Sequence, residues 1–191
     1  KLNLAISKGA SGFILIDNFY FNRYSNYYKR MESKGEINVE LNVPAKQFLN
    51  IIVGDKIGDI LKKENNGIYQ KEIKLSYKNT SNTFTSNNVI AMIKGSEFPD
   101  EYIIISAHLD HIGKHDGKIF NGADDDGSGT IAILEIAEAF KEAEIDGYGP
   151  KRSIVFLHVT AEEKGLLGSK YYTDFNPIVP LKNTLANLNI D

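Results

Sequence analysis

From residue 87 onward, continuous apolar runs alternate with amphipathic stretches. Uninterrupted apolar runs are typical of strands that are buried on both faces. Such runs predict strands at "VIAMI" and at residues 102–107, 153–161 and 185–190. Helices are predicted at residues 129–143 and 166–175, and in the first of these the apolar residues recur at intervals of three and four. Buried strands interleaved with helices predict an α/β fold with a mostly parallel central sheet and helices on both faces.

The first 62 residues follow a different pattern, with shorter apolar runs. Residues 13–16 and 49–53 predict two short strands, and residues 56–62 predict a helix. The polar, glycine-bearing stretch "KENNGIYQ" follows, so we place a domain boundary there and expect domains at residues 1–65 and 66–191. Beyond this boundary, "KEIKLSYKNTSNTFTSNNVIAMIKG" has the alternation that predicts exposed antiparallel strands.

The composition of the chain limits which binding partners and which kinds of metal site we expect. The 191 residues carry a formal net charge of -3, and the 22 basic residues are scattered, so we expect binding to neither nucleic acid nor anionic membranes. No apolar run in the sequence approaches the roughly 20 residues that a membrane-spanning helix needs. Because the chain has no cysteine, any metal site must use histidine and carboxylate ligands.

An acidic cluster lies in the second half of the chain. In "FNGADDDGSG", Asp124, Asp125 and Asp126 are adjacent and flanked by glycines, directly before the first of the two predicted helices. Adjacent like charges repel, so the cluster is either a solvated turn or a site built around a cation. The acids can also cap the helix, because carboxylates accept hydrogen bonds from first-turn amides. Capping and metal binding are compatible.

Other reactive side chains follow the predicted strands. His108 and Asp110 follow the second of them, Glu162 and Glu163 follow the third, and Asp191 follows the fourth. Ligands of open α/β sheets bind where strand ends meet, so we expect these residues to converge on the acidic cluster. Singly, such a histidine is often structural and such a glutamate pair often solvated, but together they form a sulfur-free ligand set that suits zinc. The remaining histidines are expected to be structural or exposed: His111, His115 and His158.

Four motifs carry a family resemblance. In order along the chain they are "SAHLDHIG", "NGADDDGSG", "VTAEEKGLLGSKYY" and "LNID". Over residues 87–191 they resemble the co-catalytic di-zinc aminopeptidases of metallopeptidase family 28, so residues 66–191 are interpreted as the N-terminal portion of that catalytic domain. Two earlier stretches, "ISKGASGFILI" and "VPAKQFLNIIVGDKIGDIL", resemble part of a protease-associated domain, which is the interpretation of residues 1–65.

The resemblance implies a role for each candidate residue. The metal ligands would serve two zinc ions: His108 and Asp191 on one, Glu163 on the other, and Asp125 bridging both. Asp110 would support His108, and the peptide joining Asp125 and Asp126 is often cis in the family. Glu162 would be the catalytic base. Its chemistry is consistent with that role, because a carboxylate that is not itself a ligand can carry a proton from water to a leaving amine.

The activity that the resemblance implies is that of an exopeptidase, which removes N-terminal residues from peptides or proteins. Two alternatives remain on the same scaffold. One is a glutaminyl cyclase that works with a single zinc ion, and the other is a non-catalytic binding or receptor-like relative. His108 argues against the cyclase because it belongs to the ligand set of the additional metal, and the filled ligand positions argue against the non-catalytic relative.

The same resemblance implies a further histidine ligand downstream of "LNID" and therefore beyond Asp191. We expect the chain to be a fragment of a longer enzyme that, on its own, binds zinc weakly or not at all and lacks peptidase activity. The resemblance implies an extracellular or periplasmic location, and we expect the protein to be secreted.

Overall fold

The computed structural model describes residues 2–34, 37–42, 48–62, 74–76 and 80–191. The chain divides into two compact units, one formed by Lys1–Asn38 with Asn42–Asn82 and the other by Val39–Leu41 with Thr83–Asp191. The predicted domain boundary between residues 65 and 66 lies outside the described residues and stays a prediction. Within the described ranges, none of the helices combines the length and the apolarity that crossing a bilayer requires.

The first unit contains a small parallel sheet with short helices. Its elements are α1 (Leu2–Ser7), β1 (Gly12–Ile16), α2 (Asn18–Lys34), β2 (Leu49–Val53) and α3 (Asp55–Lys62). β1 pairs with β2 in parallel, and both strands lie where the apolar runs predict them. The apolar pattern does not predict α2, because adjacent aromatic residues at positions 19, 20 and 21 hide the helical period.

The second unit is built on a four-stranded sheet. Its elements are β3 (Val89–Ile93), β4 (Phe98–His108), β5 (Gly113–His115), β6 (Lys118–Phe120), α4 (Gly129–Ile145), β7 (Arg152–Val159), α5 (Leu167–Asp174) and β8 (Thr184–Asn189). The strand order is β3-β7-β4-β8, and β4 is parallel to both of its neighbours. Because only β3 runs antiparallel, this is the mostly parallel α/β sheet that the sequence predicts.

The prediction of exposed antiparallel strands directly after the domain boundary is wrong for most of its described length. Residues 74–76 and 80–88 form no strand, residues 63–73 and 77–79 lie outside the described residues, and only β3 is a strand. The Asn/Ser/Thr-rich stretch has no apolar face to bury, whereas β3 pairs with β7. The hairpin of β5 and β6 is not predicted, because its strands are only three residues long.

Helices cover both faces of the sheet and leave one edge for the site. On one face, Ile133 of α4 is fully buried against Ile105 and Phe156. On the other face, Tyr172 of α5 packs with Ile104 and other residues of β4 and β7. Successive side chains of a strand point to opposite faces, which is why neighbours in β4 belong to different cores. Since β4, β7 and β8 are parallel, their C-terminal ends meet at a single edge.

Candidate metal centre

His108 is the last residue of β4 and only 3% of its side chain is exposed. Its Nδ1 lies 2.7 Å from the backbone carbonyl oxygen of Asp110, and a carbonyl only accepts, so Nδ1 carries the proton. Its Nε2 therefore presents a lone pair, and among the described residues it has no hydrogen-bond partner. The atoms beside Nε2 are Oδ1 of Asp125 at 3.0 Å and Oδ1 of Asp191 at 3.4 Å.

The three adjacent acids lie in the segment Ala123–Ser128, which we call the acidic loop. Asp126 points inward, where its carboxylate accepts hydrogen bonds from the backbone N–H of His108 (2.8 Å) and of Gly129 (3.1 Å). Asp125 remains 64% exposed and faces the histidine ring. The peptide between Asp125 and Asp126 is cis, as the resemblance implies. Asp126 thus fixes the acidic loop to β4 and α4, whereas the carboxylate of Asp125 is available to bind a cation.

Replacing Asp126 with alanine should destabilise the second unit. Two buried amides would lose their acceptor, and each loss is worth about 1–3 kcal/mol, so we expect the free energy of unfolding to fall by at least about 2 kcal/mol. Denaturant unfolding of the metal-free chain measures this change. Asp124→Ala is the matched control, because it removes the same charge from an exposed position in the same loop. Equal effects of the two substitutions would contradict the anchoring role of Asp126.

Glu162 and Glu163 follow β7 and are held by Asp110. The carboxylate of Asp110 accepts hydrogen bonds from the backbone N–H of Glu162 (2.9 Å) and of Glu163 (3.2 Å). The resemblance implies that Asp110 supports His108. The backbone carbonyl oxygen of Asp110 lies 2.7 Å from Nδ1 of His108, whereas its Oδ1 lies 3.9 Å from that atom. Asp110 therefore positions two strand ends at once.

A second histidine lies among these acids. Nδ1 of His111 is 3.0 Å from Oε1 of Glu163 and 3.9 Å from Oδ1 of Asp125. His111 thus lies among the candidate ligands, and the expectation that it is a structural or exposed histidine stays a prediction. A signal for His111 is present in "HLDH", where a second imidazole follows His108 within a loop that starts at a strand end. The expectation stands for His115, which is partly exposed beside Asp116, and for His158, which is buried near the carbonyl of Thr130.

The site residues form two groups that share Asp125. The groups are His108, Asp125 and Asp191, and His111, Asp125 and Glu163, and within each group the candidate ligand atoms lie within 4.8 Å of one another. Zinc bonds of about 2.0–2.2 Å place tetrahedral ligand atoms about 3.4 Å apart, which the measured separations of 3.0–3.9 Å bracket. Five buried side-chain atoms in the described part of the chain lack hydrogen-bond partners, and three of them belong to these groups, namely Nε2 of His108, Nδ1 of His111 and Oε1 of Glu163. Buried polar atoms are normally paired, so these residues fit two cations.

Residues 88–191, just over half of the chain, match the sequence model of peptidase family M28. The chain belongs to peptidase family M28. The predicted resemblance is thereby confirmed, whereas the likeness of residues 1–65 to a protease-associated domain stays a prediction.

Individual M28 relatives are much longer than this chain. It is 31% identical over 167 residues to a probable glutamate carboxypeptidase (LAMP1) of Arabidopsis thaliana, covering 84% of this chain and 23% of that protein. It is 34% identical over 160 residues to aminopeptidase YwaD of Bacillus subtilis (strain 168), covering 81% of this chain and 32% of that protein. The solved structure of BSAP, a zinc aminopeptidase from Bacillus subtilis, superposes with a TM-score of 0.45 at 23% identity, covering 97% of this chain and 39% of that one. The chain thus spans less than two fifths of each relative.

A cleft of about 460 Å³ opens beside the first group of this M28 site. Its polar wall includes His108, Glu162 and Asp191, and its apolar wall includes Leu157, Leu166 and Tyr172. Glu163 does not line the cleft, so the two neighbouring glutamates face different surroundings. One contacts the space where a substrate could lie, and the other belongs to the second group.

Two site residues have shifted pKa values. Burial raises the pKa of the Glu162 carboxyl, and the nearby carboxylates of Glu163, Asp191 and Asp110 raise it further against the opposing effect of His108. For His108, burial favours the neutral ring. The Asp110 carbonyl and the surrounding carboxylates outweigh that effect, so the pKa of His108 is raised.

Proposed function

We propose that the whole protein is a zinc-dependent aminopeptidase that removes residues from the N-termini of peptides or proteins. The observation that carries the proposal is the position of Asp125, whose carboxylate lies between two groups of potential metal ligands. A carboxylate shared in this way suits a pair of ions acting on one substrate. The M28 relative named as an aminopeptidase, YwaD, supports the same reaction.

The proposed reaction divides the work among the residues of the chain. Two zinc ions, when bound, would supply Lewis-acid chemistry, polarising the scissile carbonyl and lowering the pKa of water. His108 and Asp191 would hold one ion, Glu163 would hold the other, and Asp125 would contact both. Glu162 lines the cleft, where its carboxylate would accept a proton from the attacking water and return it to the leaving amine.

Asp110 is the positioning residue in this scheme. Its carboxylate fixes the backbone of both glutamates, so that Glu162 lines the cleft while Glu163 joins the second ligand group. Its carbonyl fixes the proton on Nδ1 of His108, which leaves Nε2 available to a metal. A single aspartate thus sets the orientation of the base and of two ligands.

A comparison of substrates tests the proposed reaction. We expect the whole protein to hydrolyse an aminoacyl-anilide with a free amine and to lose this activity when a chelator removes zinc. Acetylating the amine should lower kcat/KM by about 10²-fold or more, because it removes the positive charge that carboxylates of the site would pair and leaves them without a partner.

Other outcomes of the same comparison would contradict the proposal. Release of a C-terminal glutamate from an acetylated peptide would indicate the activity named for the Arabidopsis relative. Cyclisation of an N-terminal glutaminyl peptide would indicate a glutaminyl cyclase. No turnover of any of these substrates by a zinc-loaded protein would favour a binding or receptor-like role.

Three finer features belong to the same proposal, the first supported by the two ligand groups and the other two by the resemblance alone. We propose that two zinc ions are bound per chain, that residues 1–65 are part of a protease-associated domain, and that the protein acts in an extracellular or periplasmic space. Metal analysis of the purified protein tests the first, and location of the protein in fractionated cultures tests the last.

A further inference from the structure

The helix α2 of the first unit carries a row of exposed tyrosines. Tyr20, Tyr24 and Tyr27 recur at intervals of four and three residues, so they lie on one side of the helix. Each of them is between 42% and 44% exposed. The rings of Tyr20 and Tyr24 stack, with centroids 6.4 Å apart. We call these three residues the tyrosine stripe. Contiguous exposed aromatic surface of this kind commonly marks an interaction site.

Two arginines lie beside the tyrosine stripe. Arg23 is three positions after Tyr20 and four before Tyr27, and Arg30 is three positions after Tyr27, so each is a surface neighbour of a tyrosine. Both arginines are exposed, and within the described residues neither guanidinium forms an ion pair. The single acidic residue in the sequence of α2 is Glu32, nine positions after Arg23 and therefore on the opposite side of the helix. The two arginines, which we call the basic pair, are thus available to a negatively charged partner.

The first unit holds α2 in a fixed position. The side-chain oxygen of Asn18 accepts a hydrogen bond from the backbone N–H of Asp55 (3.0 Å), at the start of α3. The ring of Phe21 lies against Gly54, where a Cβ would come within 2.9 Å of it. Because the N-terminal end of α2 is tied to the segment after β2, a partner would meet a surface that is already ordered, which lowers the entropy cost of binding.

The charge of the chain is unevenly distributed and indicates the kind of partner. Residues 1–82 contain 13 lysine and arginine residues against 8 aspartate and glutamate residues, which gives a net charge of +5. Residues 83–191 contain 9 basic residues against 17 acidic ones, which gives a net charge of -8. The part of the chain that carries α2 therefore attracts negatively charged groups, although the chain as a whole is negative.

Three classes of negatively charged partner can be compared. A nucleic acid is a long polyanion, and the net negative charge of the whole chain opposes its binding. An anionic membrane favours helices that insert bulky apolar side chains, and α2 contains no leucine, isoleucine or valine. Tyrosine and arginine, by contrast, are the residues that contribute most often to the binding energy of protein interfaces. The composition of α2 therefore favours a polypeptide.

We propose that the tyrosine stripe and the basic pair of α2 form a docking surface for an acidic segment of another polypeptide. At 1.5 Å per residue, the 17-residue helix is about 25 Å long, so an extended segment of about eight residues would lie along it. Carboxylates of the segment would pair with the two guanidinium groups, and its apolar side chains would cover the tyrosine rings. This surface does not depend on the proposed function, because it involves neither metal nor turnover.

Fluorescence anisotropy of a labelled peptide tests the docking surface. The probe alternates glutamate and phenylalanine over about eight residues, because alternate side chains of an extended peptide point to opposite sides. It is titrated with the 191-residue chain in the presence of a chelator, so that binding at a metal ion is not measured. Arg23→Gln should weaken binding about threefold and Arg23→Gln/Arg30→Gln about 10-fold, since an exposed ion pair is worth up to about fivefold in affinity.

Lys29→Gln is the matched control for Arg23→Gln. It removes one positive charge from an exposed position of the same helix, outside the tyrosine stripe and the basic pair, and should change the affinity little. A peptide with lysine in place of glutamate should not bind. Equal weakening by Arg23→Gln and Lys29→Gln, or equal binding of the two peptides, would overturn the proposal.

A second measurement uses the wild-type chain alone, so it does not depend on the folding of a variant. In NMR spectra of the tyrosine rings, the acidic peptide should shift the signals of the tyrosine stripe and leave those of Tyr102, in β4, in place. Shifts confined to other tyrosines would overturn the proposed position of the peptide. Tighter binding of a labelled single-stranded oligonucleotide, or of phosphatidylserine vesicles, than of the acidic peptide would show that α2 serves a different partner and would overturn the proposal as well.

Discussion

Glu162→Gln should lower kcat of the whole protein by about 10²- to 10⁴-fold, the usual contribution of general acid–base catalysis. The substitution keeps the size of the side chain and removes the proton acceptor from the wall of the cleft. Because Glu162 belongs to neither ligand group, zinc content and KM should change little. Steady-state turnover of an aminoacyl-anilide gives kcat and KM, and mass spectrometry of the dialysed protein gives zinc content.

Glu163→Gln is the matched comparison for that result. The residue is adjacent, the chemical change is identical, and the backbone of both glutamates is held by the same carboxylate of Asp110. Its side chain, however, lies beside His111 in the second ligand group. The variant should therefore lose affinity for one zinc ion. Equal zinc loss in both variants, or a near-normal kcat for Glu162→Gln, would show that the two roles are assigned wrongly.

The elements that carry the site could be predicted from sequence because their patterns are strong. Continuous apolar runs identify β4 and β7, and strands of that kind are buried on both faces. Helices between such strands indicate parallel pairing, which brings strand ends to one edge. His108 and the glutamate pair follow those ends directly, so their convergence on the acidic loop could be predicted without coordinates.

The features that sequence did not predict depend on where single side chains point. His111 lies in a loop beyond β4, where no periodicity determines the direction of a side chain. The carboxylate of Asp110 binds amides that are 52 and 53 residues away, and which of its atoms contacts His108 follows from loop geometry alone. The inward turn of Asp126 and the outward turn of Asp125 are likewise set by hydrogen bonds between distant segments.

The sheet positions the site, and the segments at its C-terminal edge supply the side chains of the site. The sheet supplies a rigid edge, since the cores on both of its faces are well buried. The ends of β4 and β8 contribute His108 and Asp191, and the loops after β7 and before α4 contribute Glu163 and Asp125. These segments are tied to one another through Asp110 and Asp126. Binding sites are commonly built in this way, with variable loops on a fixed scaffold.

Asp125→Asn should remove both zinc ions, because its carboxylate belongs to both ligand groups. A neutral amide has only one oxygen to offer and lacks the charge that offsets two dications. The zinc affinity of each site should therefore fall by more than about 100-fold, which exceeds the loss expected from changing a residue that only supports a ligand. We expect kcat to fall about 10²- to 10⁴-fold when the base alone is lost. For Asp125→Asn the fall should be larger, since the Lewis-acid chemistry is lost as well.

The controls for Asp125→Asn test whether two metal ions share the carboxylate of Asp125 or whether the loss of one negative charge alone explains the effect. Asp124→Asn makes the same change at the neighbouring exposed position and should leave both ions bound. Asp191→Asn should affect only the ion held with His108, because Asp191 belongs to the first group alone. Zinc titration of the whole protein and its three variants should therefore give two ions for the wild type and for Asp124→Asn, one for Asp191→Asn and none for Asp125→Asn. Retention of one tight ion by Asp125→Asn would show that its carboxylate serves a single metal, and the paired arrangement on which the proposed reaction depends would be wrong.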